Sequence, residues 1–292
     1  MDIEMSTNQM DCITNVLNFT SDNHAVWNET VKQKEIFLNK YRNYIYEPYL
    51  DGYNKLNLNS KNIPSLEFLT KLLSLAGWMP VLVNGYISAK AYTGYLLDKK
   101  VPISTYIRSR NHINYAPAPD LIHDIIGHLP LLFCEEYVDY LLKLSECINQ
   151  AKPGISDIKL YESQKKLADL GTYSSEDKDA ISQVKKEIIN IENDLDREQS
   201  TLYQLEKLFL WTIEFGIISE NGFPKLYGAG LMSSTLEAES ICNGKIQITP
   251  FSQKIISTKF NFSNLQTQIF SSSSFNALKE NLAIFKSGLL LD

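Results

Sequence analysis

The chain has 292 residues, of which 44% are hydrophobic and 21% charged, enough to bury a large core in one domain. A net charge of −6 with no basic run argues against a nucleic-acid partner. No apolar run is long enough to span a bilayer, no signal peptide opens the chain, and Cys12, Cys134, Cys147 and Cys242 form no CxxC pair and no disulfide frame. These features predict a cytoplasmic protein with no membrane partner.

Residues 1–18 are polar without periodicity and are expected to form a flexible N-terminus before a single domain over 19–292. Residues 24–45 are predicted helical, with Val26, Trp27, Val31, Ile36, Phe37 and Tyr41 spaced for one buried face. Ser65 is a good cap for the next helix, which carries Leu66, Phe68, Leu69, Leu72 and Leu73 and is stopped by Gly77. Short strands are predicted at 81–83 and 86–87 around Asn84-Gly85, with a helix or turn over 90–97 and a strand or turn at 106–108. No Gly-rich loop has Rossmann or Walker spacing.

Residues 117–130 hold two of the four histidines, His123 and His128. Pro119 cannot sit inside a helix, and Asp120 is a good N-cap for one starting at Leu121. Leu121, Ile122, Ile125 and Ile126 give it a core face, and Gly127 and Pro130 end it. A zinc HExxH pair is spaced i, i+4, whereas His123 and His128 are i, i+5, roughly 140° apart on an ideal helix. Both reach one ion only if the last turn unwinds, which Gly127 permits. A metal pair at a helix end and two hydrogen-bonded histidines near a core fit this stretch equally well.

Residues 135–150 read as helix. Beyond them Ile181, Val184, Ile188, Ile191 and Leu195, then Leu202 and Leu205, recur in alternating steps of three and four, an a/d seam. Leu160, Leu167 and Leu170 can face it, with residues 171–175 in the turn, so an antiparallel helical hairpin is predicted within about 151–203. Its remaining charges read as a solvated surface. Residues 205–218 form an amphipathic helix in which Glu214 lies in an apolar run, where a lone charge needs a partner. A turn at 221–224, a strand at 245–250 and a helix at 274–289 complete the chain.

The string PxPDxxHxxxGHxP resembles the iron-site signature of the pterin-dependent aromatic amino acid hydroxylases. Tyr106-Ile107-Arg108, residues 211–216 (Trp-Thr-Ile-Glu-Phe-Gly) and residues 227–234 (Tyr-Gly-Ala-Gly-Leu-Met-Ser-Ser) resemble further family blocks, in family order. The resemblance runs from about Phe19 to near the C-terminus, broken by one insertion. His128 and Glu214 are 214 − 128 = 86 residues apart, about twice the separation it predicts.

The resemblance implies a mainly α catalytic domain with short β-strands, here with the helical hairpin inserted. It implies an Fe(II)- and tetrahydropterin-dependent monooxygenase, with O2 as co-substrate, that hydroxylates the ring of a free aromatic amino acid, phenylalanine first among them. Two histidines and a carboxylate suit non-haem iron, and His123, His128 and Glu214 are the implied ligands. Asp124, Glu135 and Glu237 are the rival carboxylates, and zinc the rival metal. Gly85, Ile87 and Tyr92 would face the pterin, with Asp124 standing where a Glu is usual. Arg108 would grip the substrate carboxylate with its planar fork, Ser233 would lie near it, and Pro117 and Leu210 would line the pocket.

Four positions depart from the family pattern: Ala118 for a Glu that pairs with the arginine, Ala116 for a Thr, Leu210 for a bulky aromatic and Pro102 for a His. They predict a wider pocket and a less rigidly aimed Arg108. A same-fold oxygenase acting on another aromatic substrate or ring position, and an inactive metal-binding regulator, are the alternatives. A monomer or dimer is expected, because the chain has no room for the family's C-terminal coiled coil.

Overall fold

The computed structural model describes residues 19–114, 119–173, 177–260 and 265–289. Helices dominate. Helix α1, Ser21–Lys40, starts three residues earlier than the periodicity predicts, because Thr20 and Asn23 exchange side-chain bonds with each other's backbone N–H in a capping box. It stops at Lys40, short of residue 45, and a 3-10 turn follows at Arg42–Tyr44. Trp27, Val31 and Phe37 are buried as predicted, whereas Ile36 is exposed and Lys34 is buried on the inner face.

Helix α2, Glu47–Leu56, had no clear sequence signal; α3, Leu66–Ser74, is capped by Ser65, whose Oγ accepts the Phe68 N–H. Strand β1, Met79–Val83, does not pair with residues 86–87. Its partner is β2, Lys100–Ser104, in parallel register, with α4, Ala89–Leu97, as the crossover. A parallel pair requires such a crossover. Gly85 takes φ +76°, and the Ser88 side chain caps α4 at the Ala91 N–H, so the backbone at 86–87 turns into the helix.

Helix α5, Glu135–Gln150, leads into α6, Ile155–Tyr173, and α7, Lys178–Glu198, which pack side by side. Leu160, Val184, Ile188, Ile191, Leu195 and Tyr203 form a small apolar cluster separate from the main core. The seam stops at Leu195: Gln199 is left-handed, Ser200 caps α8, Thr201–Phe209, and Leu202 and Leu205 face the main core. Residues 171–173 are helical, and 174–176 lie outside the described residues.

A four-stranded sheet of order β4-β3-β6-β5 closes the other side, with β3 at Ile217–Glu220, β4 at Phe223–Leu226, β5 at Gln247–Pro250 and β6 at Gln268–Ser272. Helices α9, Ala229–Ser233, and α10, Thr235–Cys242, lie between β4 and β5, and α11, Phe275–Leu289, ends the fold. Cys134, Cys147 and Cys242 are free. Among the described residues no helix is long and apolar enough to cross a membrane.

Candidate metal centre

The helical backbone begins at Leu121, where the Asp120 carboxylate accepts the His123 N–H at 3.0 Å. It does not continue as an α-helix and does not unwind at Gly127. His123–His128 is a π-helical segment, followed by a 3-10 turn at Leu129–Phe133. Hydrogen bonding from i to i+5 puts residues five apart on one side, which an α-helix does not. The two Nε2 atoms therefore stand 3.1 Å apart. Gly127 serves close packing instead, since a Cβ there would sit 2.7 Å from the Ala229 carbonyl oxygen. The buried Tyr49 hydroxyl donates to the Ile126 carbonyl at 2.7 Å, holding the widened turn from the side.

Glu214 lies at the end of a second π segment, Leu210–Glu214, not on one continuous helix over 205–218. Phe215 N–H bonds the Leu210 carbonyl, five residues back. The Tyr227 hydroxyl donates to the Thr212 carbonyl at 2.6 Å, and Tyr140 meets the Thr212 hydroxyl at 2.7 Å. Gly228 lets the following loop press on this segment, for a Cβ there would stand 2.4 Å from the Glu214 carbonyl oxygen.

The two segments meet. Glu214 Oε2 is 3.3 Å from His123 Nε2, and Oε1 is 3.3 Å from His128 Nε2. One donor atom from each residue falls within 4.8 Å of the others, and among the described residues this is the group of His, Cys, Asp or Glu that converges so. The rival carboxylates are engaged elsewhere or exposed: Asp124 accepts the Ser104 N–H at 2.7 Å, Glu237 accepts the Gln266 N–H at 2.6 Å, and Glu135 is on the surface.

The donor set fits a cation. Ser233 Oγ donates to the Gly230 carbonyl at 3.3 Å and is 2.9 Å from His123 Nδ1. Its lone pair is thus available to Nδ1–H, which leaves Nε2 bare and aimed at Glu214 and His128. Burial pushes His123 down to about 4. Burial opposes ionisation of Glu214 as well, but the two imidazoles outweigh it and hold the carboxyl below its ordinary range. Two imidazole nitrogens and a carboxylate facing one point, without thiolate, match non-haem iron better than structural zinc.

Arg108 is 1% exposed and is not loosely aimed. The acidic partner that the resemblance implied at position 118 is not needed, because Asp120 accepts from Nε at 2.9 Å, from Nη2 at 2.7 Å and from the Arg108 N–H at 2.8 Å. Nη1 points to the carbonyls of Ile113 and Ser233. Burial raises the Asp120 carboxyl, but Arg108 more than reverses this and holds it ionised. Sequence reasoning saw Asp120 only as a helix cap and missed this second role, although an acid at the cap twelve residues from Arg108 was a usable signal.

The Tyr92 ring is 5.9 Å from the His128 ring and 5.9 Å from Phe209. Burial pushes Asp124 up to about 7. Gly85 and Ile87 sit on the loop from β1 into α4, Leu210 is half-buried at the start of the second π segment, and Pro102 is buried in β2. Arg108, Tyr92, Asp124 and Ser233 thus surround the three convergent groups. Pro117, Ala116 and Ala118 lie outside the described residues.

A family model described as biopterin-dependent aromatic amino acid hydroxylase matches residues 2–174 and 177–290. The chain belongs to the biopterin-dependent aromatic amino acid hydroxylase family. It is 27% identical over 266 residues to the phenylalanine-4-hydroxylase of Mesorhizobium japonicum, covering 90% of this chain and 79% of that one. It is 28% identical over 272 residues to the chloroplastic phenylalanine 4-monooxygenase of Pinus taeda, covering 91% of this chain and 62% of the plant protein. The fold matches that of Chromobacterium violaceum phenylalanine hydroxylase, solved with iron(III) and 7,8-dihydrobiopterin, at a TM-score of 0.68, 23% identity and coverage of 90% and 80%.

Proposed function

We propose that the chain is a non-haem iron, tetrahydropterin-dependent monooxygenase that hydroxylates the ring of a free aromatic amino acid, phenylalanine first among them. The convergence of His123, His128 and Glu214 on one point, in a chain of this family, carries the reading. These three would hold Fe(II), which with a reduced pterin supplies the dioxygen chemistry when bound.

The protein's own groups do the positioning. Ser233 sets the His123 tautomer and, through its carbonyl, touches the Arg108 guanidinium. Asp120 fixes the plane of that guanidinium, which would pair with the substrate carboxylate. Tyr92 offers an aromatic face beside His128, and Asp124, in the same segment and accepting the Ser104 N–H through Oδ2, would be a polar contact for the pterin. The buried aliphatic residues Ile125, Ile126 and Ile213 keep water from the far side of the centre.

Oxygen uptake and product mass are the test, with Fe(II), tetrahydrobiopterin and each of Phe, Tyr and Trp. Phenylalanine should give a product heavier by one oxygen. His123→Ala and His128→Ala should each lose iron. Full iron occupancy in both variants, or no oxygen uptake by iron-loaded protein with any of the three amino acids, overturns the reading.

A further inference from the structure

We propose that helix α6 of the hairpin is the positioning element for the loop between β1 and α4, with Tyr161 and Gln164 holding Tyr86 in place. The inference rests on the functional reading that this loop faces the pterin. The hairpin would then set cofactor affinity and not merely decorate the surface.

The two ends of the loop are secured by the catalytic core. The Val83 carbonyl accepts the Thr105 N–H at 3.0 Å, and Ser88 caps α4. The middle has a weaker tie to the core, the Thr105 hydroxyl donating to Asn84 Oδ1 at 3.3 Å on the exposed side. Asn84 and Gly85 are exposed, and Gly85 is left-handed at φ +76°. Tyr86 adds the buried-side hold, through contacts on the hairpin. Its ring stacks on Tyr161 at 6.0 Å between centroids and 27° between planes, and its hydroxyl donates to Gln164 Oε1 at 3.0 Å. Burial keeps the phenol protonated, so it remains a donor.

A clamp must itself be held, and α6 is. Leu160, one residue before Tyr161, is buried in the hairpin cluster. At the base of the helix, Ser200 Oγ donates to Asp157 and Ser156 Oγ to Glu198, tying α6 to the end of α7 and the start of α8. On the other arm Lys207 of α8, itself buried, donates to Asp196 at 2.7 Å. The far end of the loop is anchored to the same region: Lys90 Nζ donates to the carbonyls of Asn149 and Ala151, just before α6 begins. Loop, α4 and hairpin base therefore form one connected unit, and the aromatic side chain that reaches toward His128, Tyr92, is one turn into α4.

The variants are Tyr161→Ala, Gln164→Ala and the conservative Tyr161→Phe, in the full iron-loaded chain. Three quantities are read: the Kd of 7,8-dihydrobiopterin by calorimetry, iron stoichiometry, and hydrogen exchange of the amides at 84–88. Tyr161→Ala should raise the pterin Kd about tenfold and speed exchange at 84–88, with iron stoichiometry and the amino acid KM unchanged. Tyr161→Phe keeps the stack and should restore wild-type Kd. Unchanged Kd and unchanged exchange in both Tyr161→Ala and Gln164→Ala overturn the inference, as does a Kd change that Tyr161→Phe does not rescue. If wild-type protein binds no pterin, the functional reading fails and the cofactor role with it. The exchange measurement still decides separately whether α6 holds the loop.

Discussion

Asp120→Ala is the sharpest test of how the fold holds the centre. The Asp120 carboxylate is fully buried and accepts four hydrogen bonds, three from Arg108 and one from the His123 N–H. Removing it leaves a buried guanidinium without its counter-charge, which costs about 3–5 kcal/mol. Loss of the cap at His123 adds about 1 kcal/mol, not fully additive because one carboxylate does both jobs. A total near 4 kcal/mol is a large part of the 5–15 kcal/mol typical of a domain. Urea unfolding followed by circular dichroism measures it, alongside Arg108→Ala and the double variant. The double variant should be more stable than Asp120→Ala, because the unpaired charge is gone. Asp120→Asn keeps the shape and loses the charge, and should cost about 1.5–3 kcal/mol. The pH dependence has a definite sign: the carboxyl is held below its ordinary range in the fold, so its contribution is present at neutral pH and disappears as pH falls through that lowered value. A loss under 1 kcal/mol in Asp120→Ala, with no coupling to Arg108, would refute the reasoning.

Ser233→Ala removes the partner of His123 Nδ1 and should weaken iron binding by about 10–100-fold with little change in unfolding; unchanged iron affinity counts against the tautomer argument. Gly127→Ala brings a Cβ to 2.7 Å from the Ala229 carbonyl, so the π segment must shift, at a cost of about 1–3 kcal/mol; a melting temperature equal to wild type would show that the segment yields freely. Lys34 is buried, 3.7 Å from the Met232 sulfur and 4.7 Å from the Phe37 ring centre, and burial lowers it to about 7. The unfolded amine titrates near 10.5, so stability should rise with pH between about 7 and 10.5 and that rise should vanish in Lys34→Met. The same variant should be more stable at pH 7 by on the order of 2–4 kcal/mol, after cation–π contacts offset part of the desolvation; equal stability at pH 7 would show that Lys34 is solvated.

What could be seen in the sequence divides along physical lines. Elements with strong local signals were legible: the Ser65 cap, the α4 segment, the Val184–Leu195 seam, the apolar face of α1 and the helix α5. The mainly α family fold was legible too, because four ordered blocks identify it. Non-local pairing was not. β1 finds its partner across a whole helix, and nothing in residues 86–87 says that Ser88 will cap α4 and take the backbone out of strand geometry. Arg108 was misjudged for a related reason. Its partner was sought at Ala118, the position the resemblance implied, while the acid two residues on does the pairing and caps the turn that carries His123 as well. The seam ran past its true end because heptad spacing does not register a left-handed residue such as Gln199.

The i, i+5 spacing of the histidines posed a geometric problem, and the structure answers it twice with the same device. Both His123–His128 and Leu210–Glu214 are π segments, rare forms whose extra residue per turn re-aims side chains. Such turns occur mostly as single turns within α-helices, frequently at functional sites. Here each has a buried tyrosine donating to one of its carbonyls, Tyr49 to Ile126 and Tyr227 to Thr212, and a glycine that lets a neighbouring backbone press against it. The three donor atoms therefore converge because packing on α2, α9 and the Tyr227 loop holds the two π turns in register. Tyr227→Phe should then cost more than a typical surface hydrogen bond, about 1–3 kcal/mol for an unsatisfied buried carbonyl, and should loosen Glu214 before the fold gives way. The spacing of His123 and His128 in the sequence and the tyrosines far from them in the chain are two parts of one geometric solution.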